Sequence, residues 1–401
     1  MLQTPITFWL VSVSFMLFQF FLQLSSGIVL NCLSKDIALS AYEAGFIASA
    51  FYYVYTVLQI PVGMLFDKKN SRTLLIFSSI VCSLGCILFA YSDSLLSLSI
   101  ARFIMGSGSA FAFVGVTHIL REHFEPKKLG FMLGLSQTLA FFVTVIFIFF
   151  MGVLSTEILW RKLMLYSGFC GLFITLLCIL LLPNKPPIPS INHPSIWKSL
   201  KALSCNKIAW FNGVYVGAGF AIITVFGAMW AVPFIQIKTG CDIHMASIID
   251  ACLFLGAGFG CPFYNKIELL IKSRKTMLFW AYFITALLFL ITLFIQNNSL
   301  LLMGTLMLAM GVISGSYIVS FTIANEISPP KAESTSSGFT NMFAVISAPI
   351  FQPLEGFFLD SFKHEEQYHL IDYQYSLLLI PILLFIAAFI GLLLPEALDK
   401  K

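Results

Sequence analysis

The sequence contains few charged residues. Lys, Arg, Asp and Glu make up 10% of the 401 residues, whereas hydrophobic residues make up 59%. Soluble domains carry about 25% charged residues, so this composition excludes an ordinary soluble domain. A chain this long and this apolar belongs in a lipid bilayer.

Motifs of enzymes and of metal sites are also missing from the sequence. No glycine-rich phosphate-binding loop is present, which argues against ATP-driven transport. His364 and His369 superficially suggest a zinc protease, but their spacing places them about 140° apart on a helix. The nine cysteines show no metal or disulfide spacing. We therefore expect that the chain is not an enzyme and holds no metal or cofactor.

Long hydrophobic runs are present instead. Windows of about 20 apolar residues predict twelve membrane spans, at residues 8–30, 43–66, 73–91, 95–118, 130–153, 162–182, 210–235, 245–265, 276–295, 299–323, 335–358 and 374–394. In an open chain, only helices satisfy every backbone polar group within lipid. The sequence therefore predicts an all-α membrane protein with twelve transmembrane helices.

The distribution of Lys and Arg predicts the orientation of the chain. If the N-terminus lies inside, the inner segments hold seventeen of the 23 bases and the outer segments hold five. The remaining base, Arg102, lies within a span. Because inner loops of membrane proteins are enriched in Lys and Arg, both termini are expected to be cytoplasmic.

The longest inner connection divides the chain. Residues 183–209 contain five prolines, which forbid a continuous helix, followed by an amphipathic stretch at 196–203 that predicts a short interfacial helix. It separates two six-helix halves, residues 1–182 and 210–401. The halves look related, because four residues recur at an offset of 204: Glu122, Pro126, Lys127 and Gly134 correspond to Glu326, Pro330, Lys331 and Gly338.

A charged loop after the second predicted span carries the most specific motif. It resembles the loop between the second and third helices of major facilitator superfamily (MFS) transporters, whose pattern is roughly G-x-x-x-D-R/K-x-G-R/K-R/K. Four positions match, namely Gly63, Asp67, Lys68 and Arg72. Asn70 replaces a glycine; because Asn tolerates left-handed backbone, the turn is expected to survive. The resemblance implies two pseudo-symmetric six-helix halves that work by alternating access.

The resemblance also assigns a gate to this loop. Asp67 is expected to dock on the positive first turn of a facing helix, which in the family closes the inner side of the outward-facing state. A salt-bridge network of Arg72 with Arg121 and Glu122 on the next inner loop, which breaks on switching, is expected to complete the gate. The gating residues are then Gly63, Asp67, Lys68, Arg72, Arg121 and Glu122. The alternative is that the bases only signal topology. In the second half, Tyr264 or Asn265 stands near the place of Asp67.

Arg102 is the leading candidate for substrate or coupling contact. The segment from Arg102 to Gly106 resembles the R-x-x-x-G motif on the fourth helix of the family, which lines the transport cavity. An Arg within the membrane is costly and is functional by default. The alternative is a buried Arg that bonds to backbone carbonyls or to a neighbouring helix.

Two carboxylates near the outer ends of spans are further candidates. Asp250 on the eighth span and Glu355 on the eleventh are each able to carry a coupling proton, pair with an Arg, or pair with a substrate amine. The alternative for both is solvation at the membrane boundary.

Polar residues on four helices complete the candidate set. The resemblance places the first, fourth, seventh and tenth helices on the cavity and so nominates Gln19, Gln23, Ser109, Phe113, Asn212, Tyr215, Thr224, Trp230, Ser314, Tyr317 and Ser320, some of which are expected to be packing residues. On the second span, Tyr52, Tyr55 and Gln59 share one helical face that is expected to look into the cavity. An aromatic belt is the alternative for Tyr52.

The combined prediction is a secondary active transporter. An Arg in the cavity favours a carboxylate substrate, so we expect proton-coupled uptake of a small organic solute, an amino acid or short peptide first. A siderophore or metabolite exporter is the main alternative, and a transport-inactive receptor or scaffold is another. The fifth span lacks proline, which argues against multidrug efflux. The remaining expectations are a monomer in a bacterial inner membrane, without a nucleic-acid partner.

Overall fold

The computed structural model describes residues 4–24, 41–153, 159–184, 196–271, 273–362 and 368–396. All regular structure in these ranges is helical. Twelve helices are long and apolar enough to cross a membrane. In chain order they are Pro5–Leu24, Ala41–Phe66, Ser71–Ala90, Leu95–His123, Pro126–Val153, Leu159–Leu181, Lys207–Thr239, Ile243–Ile271, Arg274–Phe294, Leu300–Glu326, Glu333–Phe362 and Leu370–Gly391. The prediction of twelve spans and an all-α fold is confirmed, whereas the side of the termini stays a prediction.

Short polar side chains begin several of these spans. Asn70 accepts a hydrogen bond from the backbone N–H of Arg72, and Ser94 forms a reciprocal capping box with Ser97. Such caps satisfy N–H groups that have no partner within the helix. Asn70 has extended backbone with φ −63° and ψ 122°. The expectation of a left-handed turn at Asn70 was therefore wrong, because the residue serves as a helix cap.

Two spans depart from α-helical geometry near their middle. The seventh span contains a π-helical segment, Ile222–Trp230, and the tenth contains a 3₁₀ segment, Gly315–Ile318. Such segments interrupt the regular hydrogen-bond ladder and are frequent at functional sites. A short helix, Ile196–Cys205, precedes the seventh span where an interfacial helix was predicted.

The chain forms two compact units. The first unit comprises Met1–Leu133, Val153–Asn206 and Ile327–Met342; the second comprises Gly134–Gly152, Lys207–Glu326 and Phe343–Lys401. The boundaries fall inside the fifth and eleventh spans, so the start of the eleventh span belongs to the first unit. The units do not coincide with the sequence halves 1–182 and 210–401, and a division into those halves stays a prediction.

Small residues bring helices of the second unit close together. The eighth span presents Gly256 and Gly260 to Gly311 and Gly315 of the tenth span, and an added Cβ at any of the four would overlap the backbone of the other helix. Spacing of small residues by four positions on both helices is the arrangement that lets membrane helices pack through their backbones. The pair therefore forms a rigid core for this unit.

Candidate functional site

The segment directly after the second span is bonded to the start of the eleventh span. The carboxylate of Asp67 accepts hydrogen bonds from the backbone N–H groups of Ser334 and Thr335, each at 2.9 Å, and from the Thr335 hydroxyl at 2.5 Å. The eleventh span begins at Glu333, so these N–H groups lie in its first turn. A carboxylate at this position satisfies free donors and complements the positive end of the helix dipole.

The fourth span contributes basic side chains to the same contact. The Arg121 guanidinium donates to the hydroxyls of Ser334 and Ser337, at 2.8 and 3.1 Å. His118, one turn earlier, lies 2.9 Å from the Ser334 hydroxyl and 3.7 Å from the Glu122 carboxylate. The second and fourth spans therefore meet at the start of the eleventh span. This is the geometry expected of the gate, and its opening during transport stays a prediction.

Close backbone approach explains the glycine of the loop motif. A Cβ added to Gly63 would lie 2.5 Å from the carbonyl oxygen of Ser334 and 2.8 Å from Cα of Thr335. One turn further into the membrane, a Cβ on Gly338 would overlap the carbonyl of Gln59. Glycine at both positions lets the second and eleventh spans touch, which brings Asp67 within reach of the helix start.

The remaining gating candidates lie elsewhere. Arg72 donates from its side chain to the carbonyl of Ile179, at 2.5 Å, near the end of the sixth span, and it does not bond to Glu122. The predicted network is therefore not formed through Arg72 in this structure. Lys68 is exposed.

Arg102 is buried in the outer half of the first unit. Its side chain is 4% exposed, donates to the carbonyl of Leu22 at 2.9 Å, and lies over the ring of Phe51 at 4.9 Å from the ring centre. Leu22 is among the last four residues of the first span, whose carbonyls have no partner within the helix. Arg102 thus makes the backbone contact considered as the alternative to a substrate role, and the substrate role stays a proposal.

Buried amides connect other candidates of the first unit. The Gln19 side chain donates to Gln23 at 2.5 Å on the first span. On the second span, Gln59 accepts a hydrogen bond from Asn341 at 2.8 Å, and Asn341 also donates to the Tyr55 hydroxyl at 3.3 Å. Tyr55 and Gln59, predicted to face a cavity, therefore contact the eleventh span.

The second unit holds three further candidates in its core. Asn212 of the seventh span donates to the carbonyl of Ser320 on the tenth, at 2.9 Å. The Tyr215 hydroxyl donates to the carbonyl of Leu278, and its ring stacks on Tyr282 with 4.0 Å between ring centres. Tyr317 is fully buried in the 3₁₀ segment. Tyr215 thus contacts the ninth span.

The outer part of the second unit contains polar atoms without partners. Neither carboxylate oxygen of Glu355 has a hydrogen-bond partner among the described residues, and the same holds for the indole N–H of Trp230 and for one oxygen of Asp250. Glu355 is 1% exposed and Asp250 is 3% exposed. Solvation at the membrane boundary, the alternative for both carboxylates, is therefore not seen. In the described ranges, no group of three His, Cys, Asp or Glu side chains is arranged to hold a metal.

Polar residues of the eleventh span were missed from the sequence. Asn341 bonds to the second span, and Gln352 donates to the carbonyl of Thr224 on the seventh span at 2.7 Å. The family resemblance directs attention to four other helices, so these amides were passed over. Their signal was present, because a side-chain amide inside an apolar span needs a partner.

Comparison with known proteins identifies the family. A family model described as the Major Facilitator Superfamily matches residues 9–237 and 214–401. The chain belongs to the major facilitator superfamily. MFS members are membrane transporters, in agreement with the prediction that the chain is not an enzyme. It is an integral multi-pass membrane protein.

Bacterial MFS transporters are among the relatives. The chain is 24% identical over 298 residues to the "Probable galactarate/D-glucarate transporter GudP" of Escherichia coli (strain K12), covering 64% of this chain and 66% of that protein. It is 22% identical over 363 residues to the protein of the same name from Bacillus subtilis (strain 168), covering 80% and 78%.

A solved MFS structure shares the fold. A bacterial homologue of the human lysosomal transporter Spinster, in an inward-facing and unoccupied conformation, matches with a TM-score of 0.72 at 15% identity. The match covers 97% of this chain and 96% of that chain. It supports the MFS fold of the whole chain.

Proposed function

We propose that the chain is a proton-coupled importer of a small organic acid in a bacterial inner membrane, with sugar acids of the galactarate and D-glucarate type as its first substrates. Arg102 contacts the substrate carboxylate in this proposal. The position of this base supports the proposal, because Arg102 is the one Lys or Arg that lies more than one turn inside a predicted span.

The geometry of Arg102 carries the proposal. A guanidinium that is 4% exposed inside a span is expensive to keep, and such residues mark substrate or ion pathways. It donates to the neutral carbonyl of Leu22. A carboxylate accepts two parallel N–H hydrogen bonds from a guanidinium, and the opposite charges strengthen these bonds. A substrate carboxylate is therefore able to displace the Leu22 carbonyl.

The named relatives support the substrate class. Two bacterial relatives carry names that specify galactarate and D-glucarate, which are dicarboxylic sugar acids. An amino acid, the first choice from the sequence, stays as the rival. It is favoured by the unpartnered carboxyl oxygens of Asp250 and Glu355, which suit an ammonium group.

Uptake into proteoliposomes tests the proposal. Labelled galactarate, D-glucarate and an amino-acid mixture are supplied separately, with and without an inward proton gradient. We expect accumulation of a sugar acid above its equilibrium level only with the gradient. Arg102→Ala should abolish this accumulation, and Arg102→Lys should weaken substrate binding because Lys does not form the bidentate contact.

Arg161 provides a matched control. Like Arg102, it donates to carbonyls at the outer end of a helix, those of Ala90 and Ser92, but it is one-third exposed and pairs with Asp93. Arg161→Ala should therefore retain transport. Accumulation of an amino acid but of no sugar acid would establish the rival, and a folded wild-type protein that accumulates no organic acid would reject the proposal.

A further inference from the structure

Glu355 occupies an unusual position for an acid in a membrane span. Its side chain is 1% exposed, and neither carboxylate oxygen accepts a hydrogen bond from a described residue. An isolated ionised carboxylate in such surroundings is very unfavourable, whereas the neutral acid is much less so. The enclosed position therefore fits a carboxyl group that holds a proton while the helices are packed as they are here.

The residues around Glu355 join the eleventh span to the π-helical segment of the seventh. Three positions before Glu355, Gln352 donates to the carbonyl of Thr224 at 2.7 Å. One position after it, a Cβ on Gly356 would lie 3.4 Å from the ring of Trp230, the last residue of the π segment. Glu355 thus lies in the close contact between the seventh and eleventh spans that Thr224, Trp230, Gln352 and Gly356 form, which is called the joint below.

Among the described residues of the neighbouring elements, no charged group pairs with Glu355. On the seventh span, the Lys238 ammonium donates to the carbonyl of Leu293 at 2.9 Å. On the twelfth span, Asp372 accepts from the backbone N–H of His369, and the Tyr375 ring packs on Phe362. On the eighth span, which packs on the outer end of the seventh, Asp250 is also buried.

We propose that Glu355 is the binding site of the coupling proton, and that its charge controls the joint between the seventh and eleventh spans. This inference rests on the proposed function. The neutral acid is compatible with the packed joint, whereas release of the proton to water leaves an uncompensated charge beside Gln352 and Trp230. If the protonated and the ionised forms of Glu355 favour different packings of these helices, proton binding shifts the equilibrium between the packings. Asp250 is second, because only one of its oxygens is both fully buried and without a partner among the described residues.

Glu355→Gln tests the assignment, because glutamine has the shape of the neutral acid and binds no proton. The measurement uses proteoliposomes with labelled galactarate and a pH-sensitive dye in the lumen. We expect exchange of labelled for unlabelled galactarate to persist in Glu355→Gln. Accumulation above equilibrium and substrate-dependent acidification of the lumen should both be lost. Glu355→Asp, which keeps an ionisable group, should restore both.

Glu125→Gln is the matched control, because Glu125 is exposed and pairs only with Lys128 on the surface. It should transport like the wild type. Undiminished accumulation by Glu355→Gln, or loss of accumulation by Asp250→Asn alone, would overturn the assignment while leaving the proposed function intact. Loss of exchange as well as accumulation in folded Glu355→Gln and Glu355→Asp proteins would show a structural role instead. If the wild type carries no galactarate or other organic acid, the proposed function itself fails.

Discussion

The inner ends of the two sequence halves carry related residues that bond in different ways. In the first unit, the single carboxylate of Asp67 accepts from two backbone N–H groups and a hydroxyl at the start of the eleventh span. In the second unit, the Arg274 guanidinium lies between two carboxylates, with bonds of 2.7 Å to Glu268 and of 2.6 and 2.9 Å to Glu326. Glu326 is the counterpart of Glu122 in the repeat.

The cluster around Arg274 is also less exposed than the Asp67 contact and makes more hydrogen bonds. Arg274 is 1% exposed and Glu268 is 6% exposed. Near the end of the chain, the Glu396 carboxylate accepts from the backbone N–H of Arg274 at 2.7 Å and from the Ser273 hydroxyl at 3.0 Å. Three helices of one unit, and the segment after the twelfth span, are thereby joined at a single arginine.

The difference separates a reversible contact from a permanent one. Water can replace neutral N–H and hydroxyl donors around Asp67, so the contact can open at moderate expense. Opening the second cluster would separate the buried Arg274 guanidinium from its carboxylates, which is strongly unfavourable. We infer that the contact of Asp67 with the start of the eleventh span is a latch that opens, and that the cluster of Arg274, Glu268 and Glu326 is a brace that stays closed.

The largest effect is expected on disrupting the brace. Arg274→Met should lower the free energy of unfolding by about 3–5 kcal/mol, because it removes the cation that lies between the enclosed carboxylates of Glu268 and Glu326. Thermal unfolding in detergent measures this loss. The triple variant Arg274→Met, Glu268→Gln, Glu326→Gln removes the orphaned charges and should recover much of it. An unchanged unfolding temperature in Arg274→Met would show that the cluster braces nothing.

Adding a methyl group where the second span touches the eleventh should produce the next largest effect. In Gly63→Ala the new methyl group meets the Ser334 carbonyl at 2.5 Å, so the two helices must separate, at about 1–3 kcal/mol. Transport should fall, because Asp67 then no longer reaches the start of the eleventh span.

Gly304→Ala is the control for this substitution. It lies within a helix of the second unit, and its new Cβ would have only the Cys252 sulfur within reach, at 3.8 Å. This variant should be neutral, or more stable by up to about 1 kcal/mol because Ala favours helix. Equal losses in the two variants would point to a general effect of replacing glycine and not to the helix contact.

Removing the charge of the latch should affect transport more than stability. Asp67→Asn keeps one acceptor but loses the second oxygen and the charge, so unfolding should become easier by only about 1 kcal/mol. Transport should fall markedly because the inner contact no longer closes. Arg274→Met is the counterpart, with a large loss of stability. If Asp67→Asn transports normally, the contact is not a gate.

The sequence was sufficient for the fold and for the position of Asp67. Apolar runs of span length leave few solutions in lipid, and the spacing from Gly63 to Asp67 identified the loop. The brace was missed because the search looked for an acid at Tyr264 or Asn265, whereas the acid is Glu268, one helical turn later. A shift of one turn keeps a side chain on the same helical face, so a search by exact offset overlooks it.

The partners of the basic residues were the least predictable part of the site. Sequence reasoning paired Arg72 with charged residues, but the end of a membrane helix offers carbonyls that lack a partner. Among the described residues, four bases use such ends: Arg72 bonds to Ile179, Arg102 to Leu22, Arg161 to Ala90 and Lys238 to Leu293. The negative end of the helix dipole adds to the attraction. Which helix end lies within reach of a base depends on packing, which the sequence does not display.

The smallest effect is expected for an exposed charge pair. Unlike the latch and the brace, this pair is neither buried nor at a contact between spans. Lys128 and Glu125 lie 3.2 Å apart, with side chains 63% and 70% exposed. Because water screens such a pair, Glu125→Gln should change the free energy of unfolding by less than about 0.5 kcal/mol. Thermal unfolding beside Arg274→Met provides the test. A loss in Glu125→Gln as large as that in Arg274→Met would mean that the number of charges, and not their burial, sets the strength of the brace, and the distinction between the two inner ends would then lose its physical basis.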